Sequence, residues 1–408
     1  MGLSRKKISI VVAATILGFA AAIVIMNSGQ MERLGFAVNL FSGEEQYENF
    51  NRMVEFFPTA IMTAASDPFD FPVGTAIELP RTYTYEGAVG TIQTFLGETD
   101  TSALLVLKGG KVVYENYWLT GGRDVNWLSM SVAKSFISAA VGIAVGEGHI
   151  KSIEEPVTNY APSLTGSAYD GVRIRDILQM SSGARWNEEY SDPNSDVNQL
   201  GKIMGVGGDL NAFLATLERE REPGTYNQYN SMDTQVLGLL LVNATGRTIS
   251  DYMQEKFWHR LGMESDAFWL VDSKNMEMVF FGLNATARDY AKLGELYRLG
   301  GNWQGQQIVP HEWVKASLLP DAPHLLPGDN PLSDYGMGYG YQWWLMDGED
   351  EEYSAIGIYN QFIYVNPAKD LVVVKLSANN SYGMTDEEAS YREFETIEVF
   401  RAIANQSD

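Results

Sequence analysis

A serine and a lysine three positions apart open the run SVAKSFISAAVGIAV, from Ser131 to Val145. On a helix, positions i and i+3 share one face, so the Ser131 hydroxyl and the Lys134 amine can approach one another. Free N–H groups at the start of such a helix favour a developing oxyanion. Lys134 is the only charge in this apolar stretch. Burial penalises the ammonium form and lowers its pKa, which makes the amine a plausible base for the serine. The chemistry this pair suits is acyl transfer through Ser131. The spacing alone is common. Ser4 and Lys7 share it in a basic flank where no active site could form, and a lysine at a helix end can simply snorkel to water. A lysine inside an apolar helix differs, because an unpaired buried charge is costly and demands a partner.

Two further segments could complete such a site. Tyr229-Asn230-Ser231 follows Pro223-Gly224-Thr225 and precedes an apolar run. A phenol beside a cation can relay protons between nucleophile and leaving group. An ordinary buried tyrosine gives the same pattern, and Tyr47 and Tyr114 are decoys with an asparagine two residues on. In Ala355-Ile356-Gly357-Ile358, Gly357 lets substrate lie against the backbone. The Ile358 N–H can there complete an oxyanion hole with the Ser131 N–H. A β-bulge would also place a glycine here. The segment Arg185 to Asp196 sets Trp186 beside Glu188. A tryptophan can cover an alkyl chain and a carboxylate can pair with an ammonium group, although a solvated acidic loop reads the same way. A Ser-His-Asp hydrolase is set aside, because no G-x-S-x-G occurs and no histidine lies near a plausible nucleophile. The chain has no cysteine, and its four histidines are scattered. No metal site and no cofactor site is read from it.

These residues need a scaffold. Ser102 to Leu107 and Val112 to Trp118 read as a hairpin turning at Gly109-Gly110. Ser131 to Val145 and Ser231 to Thr245 read as buried helices, the second ended by Gly246. Arg173 to Met180 and Thr286 to Leu299 read as helices too. Ile358 to Val365 and Leu371 to Leu376 read as strands, and Glu387 to Ala404 as an amphipathic closing helix. With strands at both ends and mostly helices between, the pattern predicts an antiparallel sheet built from distant segments with a helical insertion, roughly residues 150–335.

The N-terminus carries a different signal. Arg5, Lys6 and Lys7 precede an uncharged run from Ile8 to Met26. At 1.5 Å per residue it would span about 28 Å, close to the hydrocarbon thickness. The expectation is a single-pass anchor in a bacterial inner membrane with the rest of the chain on the periplasmic side. Secretion after signal cleavage is the alternative. Residues 1–30 are therefore read as anchor or signal, 31–75 as a tether and 76–408 as the catalytic domain. The formal charge of 29 − 52 = −23 argues against nucleic acid as a partner.

The segments LSMSVAKSF, PGTYNQYNSMDTQVLG, YGYQWW and AIGIYNQFIYVNPAKDLVVVKLS occur in this order. Together with TSALLVLKGGKVVYENYW and ILQMSSGARW, they resemble the serine β-lactamase and penicillin-binding-protein superfamily. The particular likeness is to its esterase and class C β-lactamase branch, which includes the 6-aminohexanoate-dimer hydrolases. The resemblance implies an α/β (α+β) fold, an antiparallel sheet flanked by helices with a helical subdomain inserted. It implies Ser131 as nucleophile, Lys134 as its activator and Tyr229 as general acid/base, with Ser231, Ala355 and Gly357 beside the substrate. Two departures stand out. The common Tyr-x-Asn ends here in Ser231, and the Lys-Thr-Gly of β-lactamases is here Ala355-Ile356-Gly357. Lacking a cation to grip a substrate carboxylate, the site suits small amides or esters better than penicillins. A β-lactamase, a D-Ala-D-Ala-type peptidase and a non-catalytic penicillin-binding-like receptor remain the alternatives.

Overall fold

The computed structural model describes residues 35–36, 39–43, 46–205, 207–385 and 387–406. The expected anchor, including residues 8–26, lies outside these. Among the described residues no helix is long and apolar enough to cross a membrane.

The largest element is a seven-stranded antiparallel sheet. Its strands in chain order are β1 (Thr101–Lys108), β2 (Lys111–Tyr117), β3 (Gly338–Tyr339), β4 (Trp344–Leu345), β5 (Tyr353–Gly357), β6 (Gln361–Asn366) and β7 (Leu371–Ser377). The spatial order is β3-β4-β5-β6-β7-β1-β2. The C-terminal β7 therefore pairs with the N-terminal β1, Val373 opposite Val106, as the strand distribution in the sequence predicts. Gly109 and Gly110, at φ 55° and 72°, form the hairpin turn between β1 and β2, where two positive φ values are required.

Both faces of the sheet are covered, so its central strands are apolar on both sides. Every residue of β7 is buried. On one face Leu105, Ile363, Val372 and Val374 join a core that is closed by α3 (Ala287–Arg298). A Cβ at Gly294 of that helix would meet the Ile363 and Val372 side chains at 2.7 Å, so the glycine permits this close packing. On the other face Leu104, Val106, Phe362 and Tyr364 meet Ile397, Phe400 and Ile403 of α4 (Glu393–Gln406).

The helical insertion rests on α1 (Ala133–Gly146) and α2 (Ser231–Thr245), which pack against each other. α2 ends where expected, with Gly246 left-handed at φ 68°. Several boundaries differ from expectation. Ser131 lies in a 3₁₀ turn, Met130–Val132, that leads into α1. Ile358 is not the start of a strand. It begins the turn between β5 and β6, in which Tyr359 and Asn360 have φ 61° and 63°. The closing helix is broken in two by Arg392, left-handed at φ 57°. The segment expected as a tether is packed from Gln46 onward. Thr59–Met62 pairs with Ala267–Leu270, Phe50 and Phe71 are buried, and the Leu128 N–H donates to the Phe50 carbonyl at 3.0 Å.

Candidate active site

Met130, immediately before the serine, is left-handed at φ 47°. A long side chain rarely adopts that conformation, and such strain collects at functional turns. The turn carries Ser131 to the start of α1, with Lys134 one turn further on. As the i, i+3 spacing predicts, the Lys134 Nζ lies 2.8 Å from the Ser131 Oγ. Two other oxygens surround the amine: the Phe280 carbonyl at 2.8 Å and the Ser231 Oγ at 3.2 Å. Lys134 is 2% exposed, and burial brings its pKa down to about 7, with the Glu188 carboxylate acting in the opposite direction.

Tyr229 enters from the segment ahead of α2. That helix is capped by Asn230, which is extended and whose side-chain oxygen accepts from the Met232 N–H at 2.8 Å. The Tyr229 ring stacks on Trp344 of β4, centroids 5.2 Å apart and planes at 21°. It lies 5.0 Å from the Lys134 Nζ. Burial pushes its pKa well above the ordinary phenol value, with the Ser131 side chain acting in the opposite direction. The phenol is therefore protonated near neutrality, while the neighbouring amine is close to half-neutral.

β5 closes the site from the far side. A Cβ on Gly357 would come within 2.8 Å of the Ser129 carbonyl oxygen and 2.9 Å of the Ser131 amide nitrogen. Only a glycine allows the strand to approach the Ser131 turn this closely. Ser131 and Ile358 both border the resulting cavity of about 600 Å³. Ala355 does not. It is packed in the core with Ile363, because alternation along the strand turns Ile356 to the cavity instead.

The loop after Gly183 forms another wall. Trp186 and Glu188 border the cavity as expected, but neither is free. The Trp186 indole N–H donates to Glu188. So do the Tyr190 hydroxyl at 2.6 Å, the Ser231 Oγ at 2.6 Å and the Ser231 N–H at 3.0 Å. Glu188, expected to receive a substrate ammonium, is thus committed to protein donors. Ser231, expected beside the substrate, is held between Glu188 and Lys134.

Residues that sequence reasoning missed make up much of the remaining wall. Tyr335, Tyr382, Tyr391 and Phe394 border the cavity, and its lining includes five carboxylates, Glu188, Glu189, Asp334, Glu388 and Glu393, but no lysine or arginine. Burial and the Glu393 charge raise Glu388 to about 7, and burial raises Glu393 as well. The YGYQWW run was the available signal for Trp344. The carboxylates of the broken closing helix had none. Among the described residues no group of three or more His, Asp or Glu side chains could hold a metal ion.

Similarity to known proteins agrees with this geometry. The chain is 32% identical over 337 residues to a 6-aminohexanoate-dimer hydrolase of Paenarthrobacter ureafaciens, covering 81% of this chain and 84% of that protein. A β-lactamase of Yersinia enterocolitica is 26% identical over 169 residues, 40% of either chain. Among solved structures, a Bacillus anthracis protein provisionally described as a 6-aminohexanoate-dimer hydrolase superposes with a TM-score of 0.79 at 22% identity, over 89% of this chain and 95% of that one. A family VIII carboxylesterase shares the fold with a TM-score of 0.59 at 14% identity, over 77% and 94%. Residues 90–398 match the family model described as Beta-lactamase, and with the identity to the Paenarthrobacter enzyme over most of both chains this establishes that the protein belongs to that family.

Proposed function

We propose that the protein is a serine hydrolase that is acylated on Ser131 and cleaves short amides or esters, neutral or carrying a free amine. The observation that carries the reading is the buried Lys134 amine, 2.8 Å from the Ser131 Oγ with its pKa brought down to about 7. Neutral Lys134 takes the Ser131 proton as the Oγ attacks the substrate carbonyl carbon. The developing oxyanion is received by the backbone N–H groups of Ser131 and Ile358. Tyr229, protonated because burial raises its pKa, gives its proton to the leaving amine or alcohol as the tetrahedral adduct collapses. The proton that Lys134 took from Ser131 then returns to the neighbouring phenolate, whose ring lies 5.0 Å from the amine, so both groups end neutral in the acyl-enzyme. Water then releases the acid, with the same groups acting in reverse.

The substrate class follows from charge. A lining with five acidic side chains and no lysine or arginine disfavours a substrate carboxylate. The likeness to a 6-aminohexanoate-dimer hydrolase supports the same class. The test compares a fluorophosphonate probe, a short-chain p-nitrophenyl ester, an aminohexanoyl amide and a penicillin. Labelling of the wild type but not of Ser131→Ala, ester cleavage, slower amide cleavage and poor penicillin turnover are expected. Labelling of Ser131→Ala would remove the nucleophile. Efficient penicillin turnover with little esterase activity would remove the substrate class.

A further inference from the structure

Three oxygens face the Lys134 amine, and their proton inventory decides where its lone pair points. A neutral amine has two N–H donors and one lone pair, and the Phe280 carbonyl, at 2.8 Å, can only accept. The other two neighbours are hydroxyls, Ser131 at 2.8 Å and Ser231 at 3.2 Å. A hydroxyl donates or accepts as its surroundings require. If Ser231 donated to Lys134, the lone pair would be occupied and Ser131 would have no base.

Glu188 prevents this. The Ser231 Oγ lies 2.6 Å from Glu188 Oε1, and a carboxylate can only accept, so the Ser231 proton is committed there. Glu188 is itself fixed by two donors on each oxygen. Tyr190 at 2.6 Å and the Ser231 hydroxyl reach Oε1. The Ser231 N–H at 3.0 Å and the Trp186 indole N–H reach Oε2. These four donors match the acceptor sites of a carboxylate, which leaves no site for a substrate ammonium. Ser231 then accepts from Lys134, Phe280 accepts the second N–H, and the lone pair is left for the Ser131 O–H.

We infer that Glu188 is a positioning residue for the acylation step: by taking the Ser231 proton it makes Ser231 an acceptor and aims the Lys134 lone pair at Ser131. This rests on the acyl-enzyme reading above and adds a role to it. It also accounts for the serine at the third position of the tyrosine motif. There the Ser231 hydroxyl, with its proton held by Glu188, serves as the pure acceptor that a side-chain carbonyl would provide. The groups around Lys134 are few. The 3₁₀ turn before α1 contributes Ser131, the first residue of α2 contributes the Ser231 hydroxyl, the segment before α2 contributes the titratable Tyr229 ring at 5.0 Å, and the Phe280 turn contributes a carbonyl and a ring at 5.9 Å. Glu188 is the charge that acts on the amine, raising its pKa against burial.

The experiment measures the rate of Ser131 labelling by a fluorophosphonate between pH 5 and 9 in wild type, Glu188→Gln, Ser231→Ala and the double variant. Thermal melts are taken on each. A glutamine must turn an NH₂ toward two of the four donors, which frees the Ser231 proton to swing to Lys134. The plateau rate of Glu188→Gln should fall roughly 10²-fold, the scale of general-base assistance. Its acid limb should move down by about one pH unit, since a carboxylate that favours the ammonium form is gone. In the Ser231→Ala background the same change should lower the plateau far less, because residues acting through one another are not additive. An unshifted limb with a wild-type plateau would overturn the inference, as would full additivity of the two substitutions. A loss confined to KM for amine-bearing substrates, with neutral esters untouched, would return Glu188 to substrate binding. Should Glu188→Gln melt below the assay temperature, Ser231→Ala decides alone: wild-type labelling refutes the role and a large loss supports it. Failure of the wild type to label at all would instead sink the hydrolase reading, and this inference with it.

Discussion

Gly357→Ala offers a direct test of how the sheet edge builds the site. The new methyl would lie 2.8 Å from the Ser129 carbonyl oxygen, 2.9 Å from the Met130 Cβ and 2.9 Å from the Ser131 nitrogen. Each contact is about 0.6 Å inside ordinary van der Waals distance. None of the three atoms is the far end of a flexible chain, so β5 and the Ser131 turn must separate. That turn is already held left-handed at Met130 and has little freedom to give. Overpacking of this kind costs about 1–3 kcal/mol, which a domain of this size should survive. Catalysis should suffer more. The Ser131 and Ile358 N–H groups lie on the two sides of the contact being forced open. A lost oxyanion donor costs about 10²–10³ in kcat, and a displacement near 1 Å about 10². The assay is kcat for p-nitrophenyl ester hydrolysis beside a thermal melt. A fall of roughly 10²-fold with only a modest loss of stability is expected. Wild-type kcat in a folded Gly357→Ala protein would refute the placement of the oxyanion hole.

Lys134→Arg retains a cation but cannot supply a base, because guanidinium does not deprotonate at accessible pH. Acylation should drop by about 10²–10⁴-fold, read by intact-mass detection of the acyl-enzyme, and near-wild-type acylation would exclude Lys134 as the base. For the wild type, kcat/KM should rise with pH through about 7 as Lys134 loses its proton. The same shift predicts a stability signature. The folded pKa of about 7 lies below the value of 10.5 for a free lysine, so between them the unfolded chain binds more protons. Stability from this group is full above pH 10.5 and is lost as pH falls toward 7. Relative to Lys134→Met, which cannot titrate, the wild type should gain about 4 kcal/mol between pH 7 and pH 10 in denaturant unfolding. Parallel pH curves for the two proteins would show that the amine is not held neutral by burial.

How far the sequence reaches depends on the distance over which each feature is determined. The i, i+3 pair of Ser131 and Lys134 lies within one helical turn, and the structure sets the two side chains 2.8 Å apart. The strands of the hairpin and the helix Ser231–Thr245 are fixed by turn glycines and apolar runs, and were legible for the same reason. Strand boundaries near Ile358 were not. The run from Ile356 to Val365 holds Gly357, Asn360 and Gln361 at the turn, but the apolar and aromatic residues on both sides read as continuous strand and hid the tight turn at Tyr359-Asn360. Ala355 was misplaced for a related reason, since the pleat decides whether Ala355 or Ile356 faces the cavity, and a single strand buried on both sides carries no marker of its outward face. Glu188 lay furthest from reach. Sequence could place it in an acidic loop beside Trp186, where an exposed carboxylate available to substrate is the simplest reading. Its contacts are with Ser231, 43 residues away, and through it with Lys134, 97 residues from Ser231. What converts a surface charge into a group that orients a base is the closing of that loop over the start of α2. The serine at the end of the tyrosine motif was the one local hint. A hydroxyl there can act as a pure acceptor toward the lysine only if something else holds its proton, so a Ser231 beside a buried lysine calls for a nearby carboxylate, and the fold supplies Glu188.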